Sequence, residues 1–192
     1  MFKSISCIFT LFLLLPVVAG AETIRLPHIW RDSCYDTAGN VISCAGTGQD
    51  DDPYSGVPWP NPRFVANGNC VNDNLTGLMW AKDGNLAGQH TWQGGLDWVS
   101  NFNKSGGQCG YTDWRLPNRK ELQSLVNRQQ PNSATWLNTQ GFSNVQASWY
   151  WSSSNVVYGK SGAWGVSMGS GRAYGYGPMS NGYVWPVRTG QK

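Results

Sequence analysis

Residues 163–177 read AWGVSMGSGRAYGYG. Arg172, Tyr174 and Tyr176 recur at every second position, the spacing that places side chains on one face of a strand. Arginine offers a planar fork of donors for carboxylate or sulfate. Tyrosine offers a rigid plane and a hydroxyl at low entropic cost. If Gly169-Ser170 is a two-residue hairpin turn, Met168 faces Gly171, Val166 faces Ala173 and Trp164 faces Gly175. That side reads as core. The other side pairs Arg172 with Ser167, Tyr174 with Gly165 and Tyr176 with Ala163, and reads as solvent-facing. A three-residue turn would set Arg172 beside Met168 on the apolar side, a poorer arrangement. Lys160, Ser161, Asn181 and Tyr183 lie in adjoining turns and widen the binding surface. Ordinary cross-strand packing with an exposed arginine is the alternative. Trp149 and Trp151 read as core.

Other chemistry has less support. His28 and His90 have no cysteine or carboxylate at a spacing that implies a triad or a metal cluster, so no metal site and no cofactor is expected. Gly169-Ser170-Gly171 lacks the lysine and following helix of a phosphate loop. The acidic run Asp50-Asp51-Asp52 lacks the spaced ligands and terminal glutamate of a calcium loop and reads as a solvated turn. Nothing in the sequence builds a catalytic constellation, and the expectation is a protein that is not an enzyme.

Charge is divided along the chain. Residues 22–113 carry five Lys/Arg against ten Asp/Glu, net −5, and residues 114–192 carry eight against Glu121 alone, net +7. This polarity suggests an anionic partner for the C-terminal half, with Arg119, Lys120, Arg128, Lys160 and Arg172 supplying positive potential. The opposing possibility is that the halves interleave and neutralise each other.

The chain opens MFKSISCIFTLFLLLPVVAGAE: one lysine, an apolar run, then Ala19-Gly20-Ala21. This is the pattern of a signal peptide, residues 1–21. Cys7 falls too early in the run to be a lipoprotein cysteine. No second apolar segment is long enough to span a bilayer. The expectation is an exported protein, periplasmic, extracellular or attached to a cell surface. Four cysteines remain, an even count that reads as two disulfides. Of the three possible pairings, Cys34–Cys44 closes a short loop with a turn at Ala38-Gly39-Asn40. That leaves Cys70–Cys109. Two asparagine sequons, at Asn74 and Asn103, matter only in a host that glycosylates them.

The positioning elements follow. Residues 22–62 hold five of the ten prolines and little periodicity, and read as an irregular, disulfide-pinned segment before a domain over 63–190. Phe64-Val65 reads as a short strand before an Asn67-Gly68 turn, and residues 75–81 as a strand kinked at glycine. Thr91 caps a helix whose apolar face is Trp92, Leu96, Val99 and Phe102, fading at Gly106-Gly107. Gly94 and Gly95 weaken that helix by roughly 1 kcal/mol each, so packing must hold it. Asn118 and Glu121 have capping-box spacing for a second helix, which buries Leu122, Leu125 and Val126 and places Arg128 in its last turn. From Trp149 onward the period is two: 149–153, 163–168, 172–176 and 183–187 read as strands. Helices packed on an antiparallel sheet make an α+β fold.

Several segments now occur in a recognisable order: CAGTGQDDDPYSG, PNPRF, VNDNLTGLMWAKD, CGYTDWRLPNRKELQSLVN, YWSSS, AW-x-V-x-M-x-x-G and WPVR. Together, over about residues 34–190, they resemble the bacterial family typified by the C-terminal domain of the Legionella collagen-like adhesin. DWRLPNRKEL is more loosely similar to formylglycine-generating-enzyme-like and C-type-lectin-like domains. That similarity implies a C-type-lectin-like fold, two helices packed on a twisted antiparallel sheet with irregular loops and its N- and C-terminal strands close together. It also implies framework roles for Trp114, Arg115, Leu116, Pro117, Glu121, Leu122 and Arg188. The catalytic cysteines of formylglycine-generating enzymes are not matched. The adhesin resemblance implies trimeric binding of sulfated glycosaminoglycans. No Gly-X-Y repeat precedes the domain here, so trimerisation does not carry across.

The functional expectation is a non-catalytic binding module that recognises glycans or sulfated, anionic polysaccharide in adhesion. Its ligand residues are Arg172, Tyr174, Tyr176, Lys160, Tyr183, Arg119, Lys120 and Arg128. The alternative is a protein-binding or assembly module that uses the same Tyr/Gly/Ser-rich face on a host or bacterial surface protein. The third reading is an enzyme whose site assembles only in space, which would show convergent polar groups in a deep pocket. Specific nucleic-acid binding is not expected.

Overall fold

The computed structural model describes residues 33–49, 58–157 and 162–190. Residues 1–21, which read as a signal peptide from sequence, the Asp50–Asp52 run, and Lys160 with Ser161 lie outside them.

The fold is α+β. In chain order the strands are β1 (Cys34–Tyr35), β2 (Val41–Ile42), β3 (Phe64–Asn67), β4 (Cys70–Asp73), β5 (Leu78–Ala81) and β6 (Gln89–His90). The helices α1 (Trp92–Lys104), α2 (Arg119–Ser124) and α3 (Ser133–Thr139) follow. The chain then forms β7 (Trp149–Asn155), β8 (Ala163–Ser167), β9 (Ala173–Tyr176), β10 (Gly182–Tyr183) and β11 (Val187–Thr189). There are two main sheets rather than one, of order β6-β10-β7-β8-β9 and β11-β5-β4-β3, plus the β1–β2 ribbon. Pairing is antiparallel except between β10 and β7. Beginning and end share the second sheet without pairing, since β5 and β4 stand between β11 and β3.

Local chemistry explains most boundaries. The β1–β2 ribbon closes on the Cys34–Cys44 disulfide, where the sequence suggests only irregular chain. In β3–β4, Asn67 pairs with Cys70, leaving Gly68 (φ +58°) first in a two-residue turn, where a primed hairpin turn needs positive φ. Cys70 bonds Cys109. The strand expected over 75–81 starts only at Leu78. Asp73 accepts from the Leu75 amide and the Thr76 hydroxyl, and these bonds hold the preceding residues in a turn that ends at Gly77 (φ +69°). Likewise, the strand expected over 183–187 is divided. Tyr183 belongs to one sheet and Val187 to the other, and buried Trp185 and Pro186 join them.

Thr91 caps α1 by accepting from the Gly94 amide at 3.2 Å. The costly Gly95 has a packing reason: a Cβ there would lie 2.7 Å from Val184 Cγ2, with Trp151 and Leu116 behind it. Helix α2 has the full capping box between Asn118 and Glu121. It ends at Ser124, so Arg128 lies in the following turn rather than in the helix. A third helix, α3, was not expected; Asn132 caps it by accepting from Thr135. The core is aromatic. Trp80, Tyr150 and Trp185 are fully buried together, Trp185 lying 5.6 Å from Trp80 and 5.2 Å from Tyr150 between ring centroids. Trp151 is fully buried on the other face of β7, beside Gly95 of α1.

Candidate functional site

The hairpin of β8 and β9 has the expected register: Ala163 opposes Tyr176, Gly165 opposes Tyr174, and Val166 opposes Ala173. Its turn is longer than two residues. The Ser167 amide donates to the Arg172 carbonyl and the Gly171 amide to the Ser167 carbonyl, so residues 168–171 form the loop. Met168 leaves the ladder because its amide donates to Ser148 and its carbonyl accepts from Ala134. Both loops have an even length, so the faces are unchanged. Val166 and Met168 are buried, and Arg172 and Tyr174 are exposed.

Tyr176 is half-buried because it stacks on Trp149, with centroids 3.8 Å apart and planes 7° from parallel. The pair stands where glycine leaves room. A Cβ on Gly165 would lie 2.7 Å from the Trp149 ring and 2.9 Å from Tyr176, and a Cβ on Gly182 would lie 2.3 Å from Trp149. Trp149 is thus only partly core; Trp151, two residues on, is fully buried and meets it edge-on. Such a pair contributes about 0.5–1.5 kcal/mol beyond its buried area. From sequence, the tryptophan that fixes the tyrosine reads as core. Its two-residue spacing from Trp151 was the signal that both share one sheet face.

Arg172 Nη1 donates to the Tyr174 hydroxyl at 3.3 Å, a hydrogen bond that raises the guanidinium pKa above its ordinary value. Tyr176's phenol is also raised, by burial first and then by Tyr174. Arg172, Tyr174 and Tyr176 therefore form a short row: an always-charged fork, an exposed ring, and a ring locked by Trp149. Gly171 (φ +70°) packs against Val126, which brings the turn carrying exposed Arg128 against the end of this hairpin.

Three residues of the expected surface sit elsewhere. Arg119 places its guanidinium 4.6 Å from the Trp164 ring, on the opposite face of the hairpin from Tyr174 and Tyr176. Lys120 is exposed on α2. Tyr183 lies in β10, not in a turn, beside Tyr150 with centroids 5.5 Å apart. Its register with Tyr150 puts it on the face away from Trp149.

The charge asymmetry survives folding in part. Arg115 pairs with Glu121 (2.7 Å) and Arg188 with Asp113 (2.6 Å). Arg188 also lies 3.7 Å from the Tyr111 ring. These two arginines brace the segment around buried Trp114 and Leu116. Among the described residues, Arg119, Lys120, Arg128 and Arg172 form no ion pair, so the C-terminal half keeps uncompensated positive charge.

Comparison with curated proteins finds no match. Residues 69–188 match the family described as the Lcl C-terminal domain, a span that runs from just before β4 into β11 and takes in all three helix caps and the β8–β9 hairpin. The chain belongs to the Lcl C-terminal domain family.

Proposed function

We propose that this protein is an exported, non-catalytic binding module that recognises glycans or sulfated, anionic polysaccharide, with the outer face of the β8–β9 hairpin as its contact surface. The observation that carries this reading is the row Arg172, Tyr174, Tyr176, with Tyr176 held against Trp149. An arginine fork suits sulfate or carboxylate, and fixed aromatic planes suit the apolar faces of sugar rings. Arg128 and Lys120 add attraction at longer range. Arg119 and Tyr183 have no direct part in this contact surface, since they face away from it. Two disulfides fit an oxidising compartment, and no helix among the described residues is long and apolar enough to cross a membrane. We take the finer compartment to be the periplasm or the cell exterior. A C-type-lectin-like arrangement is our reading of the fold's class, supported by the RLP segment leading into the capped α2.

The test is binding of immobilised heparin by the folded Arg172→Ala/Lys160→Ala variant. The reading expects about tenfold weaker binding and a shallower salt dependence. Unchanged binding removes this surface from consideration. Binding that is insensitive to salt and directed at a protein favours the assembly reading of the same face.

A further inference from the structure

A pocket of about 410 Å³ shares no lining residue with that row; its walls include Trp59, Pro62 and Arg63 on one side and Gln129, Trp136 and Gln140 on the other. Its size suits a small molecule. Three buried donors among its lining residues have no hydrogen-bond partner: Trp59 Nε1, Arg63 Nη1 and Gln129 Nε2. Buried donors are almost always satisfied, and three of the four unpartnered ones among the described residues fall on residues that line this pocket, the fourth being Trp80 Nε1 in the core. That clustering points to an acceptor-bearing occupant. Arg63 is 5 % exposed, and the rest of its guanidinium is committed. Its Nε and Nη2 donate to the two Asp73 carboxylate oxygens at 3.0 Å, and Nη2 also donates to the Ser124 carbonyl at 2.7 Å.

The charge of Arg63 is therefore balanced by Asp73, and no other lining residue is ionisable. The wall offers donors without net charge, side-chain amides that both donate and accept, and indole and proline surfaces. We propose that this pocket binds an uncharged saccharide unit, whose hydroxyl oxygens accept from the three N–H groups while its apolar ring face lies against the tryptophans. The pocket shares no lining residue with the Arg172 row and takes a different ligand class from a sulfated polymer. Half of it comes from residues 59–64, which precede the family match.

The test is intrinsic tryptophan fluorescence of the disulfide-intact protein, titrated with methyl glycosides of glucose, galactose, mannose and N-acetylglucosamine, beside glucuronate and acetate. The proposal expects a saturable change with at least one neutral glycoside in the millimolar range. Gln129→Leu and the near-isosteric Gln129→Glu, each checked for wild-type near-ultraviolet dichroism, should weaken it about tenfold, and Arg172→Ala should leave it unchanged. Saturation by no neutral glycoside, saturation by the anions alone, or binding indifferent to both Gln129 variants would overturn it.

Discussion

Tyr176 stacks face to face on Trp149, while Tyr174, two residues earlier on the same strand face, has an exposed ring. The two tyrosines should separate in mutagenesis. Tyr174→Ala should change stability by no more than about 0.5 kcal/mol. Tyr176→Ala should cost about 1–3 kcal/mol, because it strips a ring from Trp149 and leaves a gap above Gly165. Both should weaken heparin binding. Urea denaturation followed by tryptophan emission reads the first effect, and a binding titration the second. Equal stability losses would contradict the arrangement.

Gly171 is constrained twice, by φ of +70° and by Val126 Cγ1 at 2.7 Å from a Cβ placed there. Gly171→Ala should destabilise by about 1–3 kcal/mol. Adding Val126→Ala should recover the steric share and not the backbone share, which a double-mutant cycle measures. Gly177→Ala is the control, since a Cβ there meets nothing.

Arg63 and Asp73 form a buried pair whose side chains are almost wholly withdrawn from solvent. Removing one member strands the other's charge. Arg63→Met or Asp73→Asn alone should cost about 3–5 kcal/mol. The double variant should cost clearly less than the two losses added together. Additive losses in chemical denaturation would contradict the coupling.

Arg188 holds the Asp113 carboxyl below its ordinary value, chiefly through its hydrogen bonds. A folded pKa lowered in this way gives stability that is present above the unfolded value and lost as pH falls through the folded one. The Asp113 side chain is 60 % exposed, so solvent screening keeps the gain small. Asp113→Asn should be slightly less stable at neutral pH, with the difference shrinking as pH drops below 3.8. Thermal melts across that range check it, and a constant difference would contradict it.

The hairpin register was legible in sequence because a two-residue and a four-residue loop have the same parity, so the faces came out right although the turn did not. The capping box of α2 and the Thr91 cap were legible because each is a local hydrogen-bond pattern. Helix α3 was not, since seven residues give too little periodicity, and Asn132 was its main signal. Residues 183–187 look like one strand from composition; only the packing of Trp185 shows that the chain changes sheets there. The wall joins Trp59 and Arg63 to Gln129 and Trp136, which lie far apart along the chain, and no local pattern announces it. Charge asymmetry was visible as a count, but which arginines are spent on Glu121 and Asp113 depends on the fold.

The central claim is tested most directly by the retention of the disulfide-intact protein on heparin, beside a cation exchanger of matched charge density. The account predicts later elution from heparin, with the excess retention lost in the Arg172→Ala/Lys160→Ala variant. Equal elution from the two resins, or excess retention that survives in that variant, would contradict a built anion-binding surface on the β8–β9 hairpin.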